Sequence, residues 1–199
     1  YRKVDALRVS TNYERESGNS LLSITPYFRD NSMDLLASFN LNSDPTVALT
    51  QNQSYGLMAK WRQDFPQAMR ARIVGGVDID VSPGGRREDR LNLTTIGAGA
   101  SRYSLAYTVN SRVYDYDVTY KGVSPYLHGE ISPTQRLRVT GGVRYDALSY
   151  DFTNNFAAGT VSPGAGVFYG QAANTTSNFK HLSPKLGATF ALTEKVSLY

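Results

Sequence analysis

Cysteine is missing from all 199 residues, which excludes a disulfide framework and thiolate-held metals. Histidine is nearly missing, with only His128 and His181, so a metal centre or an activated nucleophile has little to be built from. Long apolar runs are lacking too. No stretch approaches the roughly 18 consecutive apolar residues that a membrane-spanning helix needs, and a mean hydropathy of −0.36 is too polar for a helical membrane protein. No charge of one sign dominates either. The net charge is +4, and the one dense cluster, Arg86-Arg87-Glu88-Asp89-Arg90, mixes signs. The basic footprint of a nucleic-acid binder is therefore absent. No leader peptide is read in Tyr1-Arg2-Lys3, which runs directly into alternating residues, so the chain is expected to be incomplete at its start.

What the chain does have is tyrosine, glycine and period-two alternation. Leu7, Val9 and Tyr13 fall opposite Arg8, Ser10, Asn12 and Glu14, and Gly18-Asn19 then makes a tight turn. Leu22, Ile24, Pro26 and Phe28 alternate with Ser23, Thr25, Tyr27 and Arg29. After a polar connection, roughly 31–47, Tyr55, Leu57, Ala59 and Trp61 alternate with Ser54, Gly56, Met58, Lys60 and Arg62. Past Asp64-Phe65-Pro66-Gln67, Ile73, Val77 and Ile79 stand against Arg72, Asp78 and Asp80. A long segment runs to about Arg112. Val123, Pro125 and Leu127 then alternate with Ser124, Tyr126 and His128, and Leu137, Val139, Val143 and Tyr145 with Arg138, Thr140, Arg144 and Asp146. A last long loop, about 152–178, precedes Leu182, Leu186, Ala188 and Phe190, and Thr193-Glu194-Lys195 turns once more.

Connections near 18, 65, 133 and 194 are short and those between them long, the asymmetry of transmembrane barrels. The runs are also long for soluble strands, which average about 5 or 6 residues. Tilted membrane strands need about 9 to 11. Tyr13, Trp61, Tyr145 and Tyr150 are placed as interfacial girdle residues. The expected fold is therefore all-β, a transmembrane antiparallel β-barrel, with about eight of its strands in this chain.

The stretch Pro125-Tyr126-Leu127-His128-Gly129-Glu130-Ile131-Ser132-Pro133-Thr134-Gln135, continued by a strand ending Gly142-Val143-Arg144-Tyr145-Asp146, resembles a hairpin of TonB-dependent receptor barrels. Leu182-Ser183-Pro184-Lys185-Leu186-Gly187 and Thr193-Glu194-Lys195-Val196-Ser197-Leu198-Tyr199 resemble the next one. The resemblance implies a 22-stranded barrel, of which residues 1–199 form part. It also implies an N-terminal plug domain that has no counterpart in these residues. It further implies uptake of a scarce solute across the bacterial outer membrane, a ferric siderophore foremost, with energy delivered by TonB through the plug. The chain is expected to be a fragment, cut at both ends.

Arg102, Tyr103, Tyr107, Arg112, Tyr114 and Tyr116 give a basic, aromatic surface in the second long loop or on the strand leaving it. Such groups suit a planar, anionic chelate. The plainer reading is that these tyrosines extend the sheet above the membrane. Arg70, Arg72, Arg138 and Arg144 share the polar face with Asp78, Asp80, Glu130 and Asp146, and ion pairing is the expected outcome. His128 and His181 are read as wall positions, and no cofactor, metal or catalysis is expected. Two alternatives remain: a small complete outer-membrane barrel with a structural or adhesive role, and a soluble β-rich binding module.

Overall fold

A computed structural model of the protein describes residues 1–36, 44–164, 166–193 and 196–199. The turn expected at Thr193-Glu194-Lys195 falls partly outside them, as does the centre of the 31–47 connection. Strand β1 (Arg2–Ser10) and β2 (Tyr13–Ser17) lie end to end along one side of β3 (Ser20–Leu36). Then follow β4 (Thr46–Phe65), β5 (Ala71–Ile96), β6 (Tyr103–Ile131) and β7 (Leu137–Asn154). A small separate hairpin, β8 (Gly159–Gly164) and β9 (Val167–Gln171), interrupts the path to β10 (Thr175–Ala191) and β11 (Ser197–Leu198). The large sheet is antiparallel throughout and runs in chain order, leaving out β8 and β9. Among the described residues it stays open. No helix in them is long and apolar enough to cross a membrane, which says nothing against crossing with strands.

The break between β1 and β2 has a local cause. Thr11 donates its N–H to the Pro26 carbonyl at 3.3 Å, and proline has no N–H to return the bond. One expected strand is therefore two.

Register assigns the faces, since directly paired residues point the same way. One face carries Tyr13, Ile24, Ala59, Val77 and Pro125 at mid-height, with Leu57, Ile79, Val123 and Ala147 as a neighbouring row. On β5 the apolar stretch from Ile73 to Val81 spans about 26 Å along the strand, or about 20 Å once tilted by roughly 40°. That is close to the apolar band of an outer-membrane barrel. Among the described residues nothing covers it: Leu127 is 53 % exposed and Leu186 85 %. Trp61, whose indole N–H reaches Ser20 Oγ at 2.9 Å, marks the lower rim. The Phe28–Tyr55 ring pair (5.1 Å) marks the upper one, whereas Tyr145, expected in the girdle, stands on this face in the mid-height row beside Pro125.

Tyr150 does not belong to that girdle. It pairs with Tyr120 on the opposite, polar face. The reason is parity: five residues separate it from Tyr145, and an odd step along a strand changes face.

The polar face is held by ion pairs and by tyrosines lying over glycines. Arg144 bridges Asp78 and Asp146 at 2.7 and 2.8 Å. Arg138 meets Glu130, Arg29 meets Asp80, and Arg72 meets Asp64, a partner that sequence reasoning did not name. Arg70 instead donates to the Thr134 carbonyl at 2.8 Å, tying two neighbouring turns together. A Cβ at Gly56 would overlap the ring of Tyr27, and one at Gly76 would overlap that of Tyr126. Each tyrosine is the direct cross-strand partner of its glycine and fills the space the missing side chain leaves.

The expected long loops are mostly strand. β3 continues to Leu36, β5 to Ile96 and β6 starts at Tyr103, so the second loop is a tall ribbon closed by one 3-10 turn at Gly99–Ser101. Alternation fades there because both faces meet water, while backbone pairing continues. Three register shifts, at Glu88/Asp89, Arg90/Leu91 and Thr94/Thr95, coil the ribbon.

Candidate functional site

Strand parity on β6 divides the six residues singled out from the sequence. Tyr114 and Tyr116 pair with Glu88 and Arg86 and point to the polar, inner face. Arg112 points outward, where Asp89 (3.2 Å) and Asp115 (2.8 Å) hold it. Arg87 also approaches Asp115, at 3.8 Å. The hydrogen bond from Asn155, and then the Arg112 guanidinium, keep the Asp115 carboxyl below its ordinary range. Tyr103 and Tyr107 lie exposed near the ribbon tip, and Arg102 is in the turn. The chain thus brings Tyr114 and Tyr116 together and leaves the other four apart from them.

Around Tyr116 the inner face forms a basin of about 360 Å³, lined by Gly84, Arg86, Val118, Tyr120 and Tyr150. Gly84 is required by close approach, since a Cβ there would come within 2.8 Å of the Gln51 carbonyl. Rings pave the wall beside it. Tyr120 meets Tyr150 at 5.1 Å, Tyr150 meets Phe179 at 6.1 Å, and Tyr116 meets Phe152 at 5.3 Å. These tilted and edge-on pairs leave ring faces and hydroxyls presented to the interior. Arg86 adds a guanidinium, partly neutralised by Glu88 at 2.5 Å. Sequence reasoning missed Arg86, set aside within a mixed-sign cluster, and Tyr120, Tyr150, Phe152 and Phe179. Counting parity from Tyr126 and Tyr145 would have put Tyr120 and Tyr150 on this face.

The β8–β9 hairpin sits just above the basin. Tyr169 packs edge-on against Tyr114 at 5.5 Å and donates its hydroxyl to Asp44. Arg90 holds the other Asp44 oxygen at 2.6 Å. Burial, reinforced by the bond to Asp44, pushes the Tyr169 hydroxyl above its ordinary value of 10.0. Gln171 Nε2 donates to the Val113 carbonyl at 2.8 Å, a group in the segment the first register shift displaces.

A second, polar groove of about 620 Å³ lies on the outer face above the apolar belt, lined by Asp30, Gln53 and Asp117 among others. It shares the wall residues Gln51, Asn52, Gly84 and Gly85 with the basin. His128 lies on the inner wall, and His181 stands opposite Asp146 within β10 rather than at its start. Among the described residues no group of three or more His, Cys, Asp or Glu side chains could hold a metal ion.

Comparison with known proteins agrees with this architecture. The ferric-catecholate import receptor Fiu from E. coli K12, in its open form, superposes with a TM-score of 0.69 at 15% identity, over 97% of this chain and 34% of that one. Its closed form gives 0.68 at 16% identity, over 98% and 32%. The ferric citrate transporter FecA, unliganded, gives 0.55 at 13% identity, over 97% and 25%. The chain spans about a third or less of the length of these structures. No curated protein matches the sequence. The family described as "TonB dependent receptor-like, beta-barrel" matches residues 1–199. With its whole length inside that match and its apolar belt opposed to an ion-paired inner face, the chain belongs to the TonB-dependent receptor β-barrel family.

Proposed function

We propose that this chain is part of the barrel wall of a bacterial outer-membrane receptor for TonB-dependent uptake of a scarce solute, foremost a ferric siderophore. Family membership makes it a recognition and transport protein, not an enzyme. The remaining strands of a 22-stranded barrel and an N-terminal plug, through which TonB acts, belong to other parts of the full receptor. Outer-membrane lipid covers the apolar belt. The supporting observation is the basin of Tyr116, Tyr120, Tyr150 and Arg86, on the inner face just above the belt. Phenol rings with open faces beside a guanidinium suit a flat, aromatic, anionic chelate, because ring faces take its planes and the cation its charge. No observation favours the small-barrel reading: among the described residues β1 and β11 do not pair.

The test uses the full-length receptor and a ferric tris-catechol complex as probe. Cells carrying it should accumulate the probe only when TonB is present. The Tyr120→Ala, Tyr150→Ala double variant should bind about tenfold more weakly, since each aromatic contact contributes about 0.5–1.5 kcal/mol. Uptake that persists without TonB would overturn the transport reading. Unchanged binding by the folded double variant would overturn the basin.

A further inference from the structure

A barrel wall is one layer thick, so its side chains bury little. Here, though, every buried apolar side chain among the described residues (Ala48, Leu91 and Val113) lies above the belt, where β8–β9 folds in. Of the buried polar residues among those described, Thr46, Glu88, Asn154 and Gln171 lie there too, while Ser23, Ser54 and Ser124 lie elsewhere on the wall. Four stretches distant in sequence meet at this point. Asp44 precedes β4, Arg90 is on β5, Tyr114 and Val113 are on β6, and Tyr169 and Gln171 are on β9.

We propose that Asp44, Arg90, Tyr169 and Gln171 form a clasp that pins the β8–β9 hairpin over the aromatic basin before any solute arrives, so that its roof is preassembled. Both Asp44 oxygens are engaged, one by Arg90 and one by the Tyr169 hydroxyl. Gln171 is 6 % exposed and bonded through its amide to the Val113 carbonyl; its Oε1 accepts from Asn154. Asn154 Nδ2 also reaches the Ala172 carbonyl at 2.8 Å, and its backbone N–H reaches Asn174 Oδ1 at 2.8 Å. The hairpin is thus tied at its root and along its inner strand. Tyr114 is one inward position above Tyr116, so the roof and the basin share consecutive rings of β6. The four are positioning residues: they set the basin's geometry without lining it. A preassembled pocket gives up less ordering entropy on binding, and its solute leaves slowly.

Two measurements on the full-length receptor in detergent test this. The first is amide hydrogen exchange without solute. Residues 159–164 and 167–171 should be protected in the parent protein and exchange about tenfold faster in Tyr169→Phe, which lacks the charge-assisted bond. Asp44→Asn, which keeps an acceptor for Tyr169, should fall between the two. Exchange in β5 between Ala71 and Val81 should not change. Equal rates in 159–164 and 167–171 for parent and Tyr169→Phe would overturn the clasp. The second is binding of the ferric tris-catechol probe, and this half rests on the function proposed above. Tyr169→Phe should speed dissociation several-fold while leaving association nearly unchanged. A loss confined to association would mean that the hairpin steers entry and does not roof the basin, overturning the claim. A parent receptor that fails to bind the probe would defeat the proposed substrate class, and the exchange result would still decide the clasp.

Discussion

The belt of the wall and the ribbon above it have the same backbone pairing and opposite side-chain economies. Between Ile73 and Val81, β5 presents one apolar face and one polar face, and among the described residues no second layer covers either. Between Ser82 and Ile96 the same strand continues against a bulged β6, with water on both sides at its tip and a packed hairpin near its base. Solvent, not secondary structure, separates the two regions. In the belt a side chain is stabilised by matching its face to its medium. Around the clasp it is stabilised by neighbours.

The comparison is tested most severely by a cation on the lipid face. Val77→Arg, near mid-belt, should destabilise the folded receptor by about 2–4 kcal/mol, the depth-dependent cost of arginine on an outer-membrane barrel. Leu105→Arg at the ribbon tip, where Leu105 is 63 % exposed, should change stability by no more than about 0.5 kcal/mol. Urea unfolding in lipid vesicles, followed by tryptophan emission, measures both. Equal effects would mean that Val77 faces something other than lipid.

The next effect belongs to the inner face. Gly56→Val places branched carbons where the Tyr27 ring lies and should cost about 1–3 kcal/mol by overpacking. Adding Tyr27→Ala should recover part of that loss, although it also removes the hydroxyl bond to Asp80. The same unfolding assay reads the recovery. If the double variant is worse than the sum of the two singles, the ring does not fill the glycine's space.

Above the belt, titration separates the regions. The Tyr169 hydroxyl holds its proton more tightly in the folded hairpin, chiefly through burial and then through Asp44. Arg90 opposes this shift and Glu88 adds to it. The clasp's contribution is therefore fully present below pH 10, the value of a free tyrosine. It is lost as pH rises through the raised folded value. Proteolytic nicking within 159–164 and 167–171 should accelerate above pH 10 in the parent protein and show no such step in Tyr169→Phe. Asp115 acts at the other extreme: with its carboxyl held low by Asn155 and Arg112, its contribution fades as pH falls below 3.8.

Legibility follows the same division. Alternation exposed the belt, the faces and the short turns, because one face meets lipid and the other water. It failed where both faces meet water: residues 82–96 and 103–112 were read as loop although their ladder is nearly unbroken. Of the six residues singled out, Tyr114 and Tyr116 were chosen for their aromatic character alone, and the structure sets them on one face. Tyr150 was lost to a girdle by ignoring parity. The Asp44–Arg90–Tyr169 contact had no signal to find, since nothing in the sequence ties positions so far apart.

The smallest expected effect lies at the other end of the wall, in the turn before β5. Met69 and Arg70 both sit at positive φ, 51° and 49°, where a side chain is strained. Ala71 N–H closes this turn on the Ala68 carbonyl at 2.9 Å. Arg70 is retained by its bond to the Thr134 carbonyl, whereas the Met69 side chain is 55 % exposed. What Met69 supplies is its carbonyl, which accepts the Ser132 N–H at 2.8 Å and which any residue would supply. Met69→Gly should relieve roughly 1–2 kcal/mol of left-handed strain and return about 0.5–1 as extra freedom of the unfolded chain. The net gain is then at most about 1.5 kcal/mol, read as a small rise in the urea midpoint with an unchanged slope. A loss instead would mean that this exposed methionine packs against a neighbour, and that single-layer economy does not extend to the turns below the belt.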